Sequence, residues 1–163
     1  MKDIIDKISS YNLFNYLFPG IIFVILLREI TEYDLIQENN LIGIFLYYFI
    51  GLTISRVGSL LIGNLLRKIT FIKFTDYTEY VLASDKDSKI ELFSEVNNMY
   101  RTIISLFLLL LCSKLFQLIS DLLNLEKKSS FLLIVFCLLI LFVFSYKKQT
   151  SFIVKRVQVR NKK

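Results

Sequence analysis

The chain has 163 residues, 55% of them apolar, with a mean hydropathy of +0.57 and a net charge of +6. It contains no histidine and no tryptophan, which excludes histidine-based catalysis and zinc sites that need imidazole. Four long apolar runs exceed what a soluble domain of this size needs to bury, so the composition points to a membrane.

Residues 1–10 place Ile4, Ile5 and Ile8 on one helical face, which suits either a short interfacial helix or a frayed polar tail. The first span is predicted over 11–28, with a kink at Pro19-Gly20. It lacks a small-x-small cleavage signal and ends at Arg28-Glu29, so it reads as a retained span. The loop over 29–40 is acidic, carrying Glu29, Glu32, Asp34 and Glu38. Such carboxylates suit a pore mouth or an ordinary solvated loop. The second span, 41–63, repeats small residues every fourth position at Gly51, Ser55, Ser59 and Gly63. That spacing makes a groove for another helix backbone, within the protomer or across subunits. Arg56 beside it reads as a snorkelling side chain.

Residues 64–101 form a small cap. Its aromatic stretch from Phe71 to Tyr80 is too polar to span and too aromatic for a disordered linker, so a short strand or helix is expected there. Asp85-Lys86-Asp87 makes the turn before the longest predicted helix, Ser88 to Leu123. Ser88 and Glu91 have capping-box spacing, and the last two thirds of this helix form the third span. The fourth span, 130–147, runs into a basic tail over 148–163, where Val154 to Arg160 reads as a strand or as a continuation of the helix.

With the N-terminus inside, 15 of the 20 lysines and arginines fall on the inner side and three on the outer. The positive-inside rule then puts both termini in the cytoplasm of a bacterial inner membrane. Cys112 and Cys137 fall within spans as small fillers, so no disulfide framework is expected. The fold class expected is all-α: one four-span membrane domain over 1–163, with the cap inserted and the third helix extended into the cytoplasm.

No paired intramembrane carboxylates, phosphate loop or nucleophile–base spacing occurs, so the chain reads as a non-enzyme needing no metal or cofactor. The third span is the exception to its apolar surroundings. Ser113, Lys114, Gln117, Ser120 and Asp121 fall within about 120° on a helical wheel, with Thr102 on the same side. This stripe lines an aqueous path at a symmetry axis, holds the helices together as a buried polar cluster, or forms a transporter-like substrate site. Asp121 lies too far along the helix to pair with Lys114, so any partner for Lys114 is expected on another helix or another copy. Lys68, Lys73, Lys89, Arg101, Lys155 and Arg156 make a basic collar suited to anionic lipid, a nucleotide or an oligonucleotide.

Tyr11-Asn12-Leu13-Phe14-Asn15-Tyr16-Leu17-Phe18-Pro19-Gly20 resembles the start of small bacterial membrane proteins, as does Glu95-Val96-Asn97-Asn98-Met99-Tyr100-Arg101 before the third span. The layout of four spans and a small inner cap is similar to that of membrane effectors of antiphage defence systems such as Hailong and Kiwa. The resemblance implies a homo-oligomer, silenced by a soluble partner or nucleic-acid ligand, that disturbs the membrane on infection. The resulting expectation is a gated pore that disrupts membrane potential. The alternative is a non-conducting anchor or scaffold that recruits a soluble effector.

Overall fold

The computed structural model describes residues 10–161, which are helical with connecting turns and contain no strand among the described residues. The expected interfacial helix over 1–10 and the basic residues Lys162 and Lys163 lie outside them, apart from Ser10 at the first helical turn. Four helices are long and apolar enough to cross a membrane: α1 (Leu13–Ile30), α2 (Asn40–Lys68), α4 (Lys89–Leu122) and α5 (Lys127–Asn161). The short α3 (Tyr77–Ser84) lies between α2 and α4.

α1 enters through a π turn at Leu13–Leu17, closed by the Phe18 amide donating to the Leu13 carbonyl five residues back. Pro19 follows at once in the first turn of regular α-helix. Proline lacks an amide and crowds the carbonyl four residues earlier, so the wider turn absorbs the irregularity expected at this point. Gly20 is then free to press against α2, where a Cβ would meet the Tyr47 carbonyl oxygen at 1.8 Å. Gly51 reciprocates, since its Cβ would lie 1.7 Å from the Tyr16 carbonyl oxygen. Two glycines thus let the backbones of α1 and α2 touch.

α2 starts on a true side-chain cap, Asn39, which accepts the amides of Leu41 and Ile42. It contains a second π turn at Gly58–Ile62 and continues to Lys68, five residues beyond the span predicted from sequence. The segment connecting it to α4 therefore begins after Lys68. Of its aromatic stretch, residues 71–76 are irregular and Tyr77 to Tyr80 open α3, which Asp76 caps, so no strand forms there. Tyr77 of α3 packs on Phe152 of α5 with ring centroids 5.4 Å apart.

The long helix runs from Lys89 to Leu122, close to the predicted limits, but the capping box does not form. Ser88 already has helical angles (φ −63°, ψ −20°) and makes no side-chain cap; Asp87 accepts the Lys89 amide at 2.9 Å instead. Asn124, in the left-handed region at φ 49°, closes the turn after α4. α5 is a single helix through Asn161, so the tail after the fourth apolar run is helical and the strand reading of Val154 to Arg160 is set aside.

Leu27, Ile54, Leu106 and Leu110 form the buried apolar core where α1, α2 and α4 meet. α5 stands apart from it: none of the most apolar 18-residue window of this helix is buried in the protomer. Three contacts pin its second half: Lys148 on Ser59, Phe152 against Tyr77, and an Arg160–Asp85 ion pair of 2.8 Å. The two ends of the bundle differ in charge. One carries the acidic loop over 31–39 and the turn after α4; the other carries the cap and most of the basic side chains.

Candidate functional site

Two polar groups lie on the packed face of α4, separated by the apolar core. The first is nearer the basic end. Asn15 of α1 is 1% exposed and Thr102 of α4 is 0% exposed. The Asn15 amide donates to Ser55 Oγ at 3.3 Å and to the Tyr11 hydroxyl at 3.2 Å. The Thr102 hydroxyl lies 2.9 Å from both Asn15 Oδ1 and the Asn98 carbonyl oxygen, and shares its one proton between them. Ser55 Oγ sits 3.3 Å from Thr102 with a proton of its own to give. Three helices are tied by one network whose buried members are satisfied, the condition under which buried polarity costs little. The sequence hinted at this only through Ser55 and Thr102; Asn15, inside an aromatic run, was missed. An asparagine within an apolar segment was the available signal.

The second group is the predicted stripe. Ser113 is half-buried and donates to the Leu109 carbonyl at 2.8 Å. Gln117 is 5% exposed, Ser120 is half-buried and Asp121 is exposed. The half-buried Lys114 ammonium donates to Gln117 Oε1 at 3.1 Å. Its partner is therefore on the same helix, not on another helix or copy, because a spacing of three residues brings the two side chains over one turn. The partner is a neutral amide, so the positive charge stays uncancelled. The stripe shares its side of α4 with buried Thr102, Leu106 and Leu110, so buried Gln117 and its half-buried neighbours face the protomer's own bundle, while Asp121 at the end is exposed. Tyr33 of the acidic loop lies near its far end. Burial, then the carboxylates of Asp121 and Glu32, hold the Tyr33 hydroxyl above its ordinary range.

The small-residue face of α2 is filled from within the chain. Gly51 meets α1, Ser55 joins the polar network, and Ser59 accepts the Lys148 ammonium at 2.8 Å. Gly58, one residue from the predicted series, abuts α4, where its Cβ would meet Ser105 Oγ at 2.5 Å. Gly63 faces the Arg101 stem.

The predicted basic collar does not converge. Lys68, Lys73, Lys89, Lys155 and Arg156 are exposed and spread over α2, α4, α5 and the segment before α3. Lys155 acts on Asp76, whose carboxyl is held below its ordinary range chiefly by the Thr78 amide. Arg101 alone turns inward. There it joins Arg56, which the sequence had assigned to snorkelling, and Lys148, which it had counted in the tail.

No group of three or more histidine, cysteine, aspartate or glutamate side chains that would suit a metal occurs among the described residues. No protein-family model, curated protein or solved structure matches the chain.

Proposed function

We propose that the protein is a multi-pass membrane effector whose bundle encloses a gated ion path, shut in the conformation described. The observation that supports this most is the order of layers along the packed face of α4. Asn98 and Thr102 are polar, Leu106 and Leu110 are apolar, and Ser113, Gln117 and Ser120 are polar again. An apolar constriction between polar stretches stops ions by excluding water, and wetting it opens the path. Lys114, with only a neutral amide as partner, places a positive charge at the rim of the second stretch.

The bundle-facing stripe moves the proposed path from a symmetry axis into the protomer. Copies of the chain would assemble around the exposed apolar length of α5. The unbroken α4 joins the cap to the constriction, so a soluble partner, a nucleotide or an oligonucleotide bound at the basic end would act through it. The excess of basic residues at that end supports a cytoplasmic position in a bacterial inner membrane for it. The similarity of layout to antiphage membrane effectors makes infection the trigger to examine.

The test is dye-reported membrane potential in cells together with ion flux from liposomes. Leu106→Ser and Leu110→Ser should wet the constriction and depolarise, and Lys114→Met should alter anion-to-cation selectivity. Folded serine variants that leave cells polarised and liposomes tight would rule out the path. The protein would then be an anchor. That second reading draws on the exposed Phe71, Phe74 and Phe93 in and beside the cap, apolar surface suited to a soluble partner.

A further inference from the structure

Three helices bring basic side chains to the Gly58–Gly63 turn of α2. Lys148 of α5 donates to the Ser59 carbonyl and hydroxyl oxygens, both neutral acceptors, which leaves one of its three protons over. Arg101 of α4 lies along the same turn. Its Cγ and Cδ would be 3.3 and 3.4 Å from Cβ atoms on Gly58 and Gly63, so the two glycines keep a slot for the arginine stem. The Arg101 Nε at the end of that slot is buried and has no hydrogen-bond partner among the described residues. Arg56 of α2 is near enough for its charge to act on both Arg101 and Lys148, and Arg67 acts on Lys148 as well.

None of these cations is paired with an acid among the described residues. The ion pairs among the described residues are Arg28–Asp34 and Arg160–Asp85, both elsewhere. Like charges gathered at a partly buried turn repel one another, and each keeps donors to spare. A multivalent oxyanion reverses both terms, because it cancels charge and accepts several charge-assisted hydrogen bonds at once. Two guanidinium forks and one ammonium match the oxygens of a tetrahedral group. The surroundings set its level in the fold. Phe152 lies 5.9 Å from the Lys148 ammonium, and exposed Tyr100 and Tyr146 sit next to Arg101 and Lys147. Tyrosines at the end of an apolar length mark the headgroup zone of a bilayer.

We propose that Arg56, Arg101 and Lys148 form a binding site for a phosphate group, carried by the headgroup of an anionic lipid or free in solution. The site ties α2, α4 and α5 together where no direct acid–base pair among the described residues does so. It does not depend on the ion path and would exist equally in a non-conducting anchor.

The experiment is thermal unfolding of the full-length chain in detergent, which keeps the upstream Asp3 and Asp6 in place. Phosphatidylglycerol is compared with phosphatidylcholine, and inorganic phosphate with chloride at equal ionic strength. At a hundredfold excess over Kd the bound group should raise Tm by about 5–10 °C. A rise with phosphatidylglycerol alone assigns the lipid headgroup, and a rise with inorganic phosphate alone assigns the free ion. In either case Lys148→Gln and Arg101→Gln should abolish the rise, Arg101→Lys should retain part of it, and Lys155→Gln at an exposed control position should leave it unchanged. If a glutamine variant fails to fold, Arg56→Gln serves in its place. The proposal is overturned by no rise with either phosphate, as when the chain's own carboxylates fill the cluster, or by a rise that Lys155→Gln reduces as much as Lys148→Gln.

Discussion

Replacing Gly51 with alanine adds one methyl group to the chain at the crossing of α1 and α2. An ideal Cβ at this position lies 1.7 Å from the Tyr16 carbonyl oxygen, 2.5 Å from its carbon and 3.0 Å from its Cα, all backbone atoms of α1. Ordinary contact begins near 3.4 Å, so the helices must part by well over an ångström, and no rotamer change can absorb it. Overpacking of this kind costs about 1–3 kcal/mol. Parting the helices also stretches the Asn15–Ser55 hydrogen bond, already 3.3 Å long, and intramembrane hydrogen bonds contribute about 0.6–1.7 kcal/mol. The combined loss is about 2–5 kcal/mol, a drop in Tm of roughly 4–20 °C for a chain of this size. Gly43→Ala supplies the control within the same helix. Its Cβ would meet only the Tyr47 ring at 3.2 Å, a side chain able to shift, so its Tm should move by less than a third as much. Thermal unfolding in detergent reads both. Equal melting of Gly51→Ala and wild type, or an equal loss in Gly43→Ala, would refute the crossing.

Thr102→Val leaves Asn15 Oδ1 and the Asn98 carbonyl without their shared donor, and should destabilise by about 1–2 kcal/mol. Combined with Asn15→Leu it should be less than additive, because both remove the same network; strict additivity would show that the network does not exist. Asp76 has a folded-state pKa below its unfolded 3.8, so its contribution to α3 is complete above pH 3.8 and is lost as pH falls through the lower folded value. Hydrogen exchange across 77–84 should therefore stay protected down to about pH 4 and rise below it. Asp76→Asn still caps but does not titrate, and the same acid-induced rise in that variant would count against Asp76. After replacement of Cys112 and Cys137, single cysteines at 35 and 85 should react from opposite faces of the membrane, 85 from the cytoplasmic one; labelling of both from one face would break the proposed topology.

The helical class and the four spans were legible because twenty-residue apolar runs admit few other structures. Helix ends were harder. Lys68 and the residues after Ser145 look like solvated tail by composition, yet α2 and α5 continue through them, since nothing there breaks a helix. The Ser88 box failed because Asp87 caps the helix one residue earlier, its carboxylate accepting the Lys89 amide while Ser88 already has helical angles. The small-residue series lies where α1, α4 and α5 approach α2, but spacing cannot say which helix fills it. Gly20 and Asn15, the α1 half of that contact, carry no periodic signal of their own. The stripe on α4 was visible on a helical wheel, whereas its direction depended on tertiary packing. Lys148 and Arg56 had local explanations in the sequence, and only the crossing of α2 with α4 and α5 brings them together with Arg101.

The isolation of α5 has a consequence for how this sequence can drift over generations. A side chain that touches nothing in its own protomer is selected for hydrophobicity and length of run, not for shape. Exchanges among Leu, Ile, Val and Phe between Phe131 and Phe144 should therefore pass largely unnoticed, whether the neighbour is lipid or a loosely matched copy, except at Phe142, whose ring stacks on Phe49 of α2. At Gly20 and Gly51 the tolerated alphabet shrinks to one letter. Diverged relatives would thus be recognised by two glycines, an asparagine and a threonine scattered from position 15 to position 102, while their most apolar helix shares little more than its greasiness.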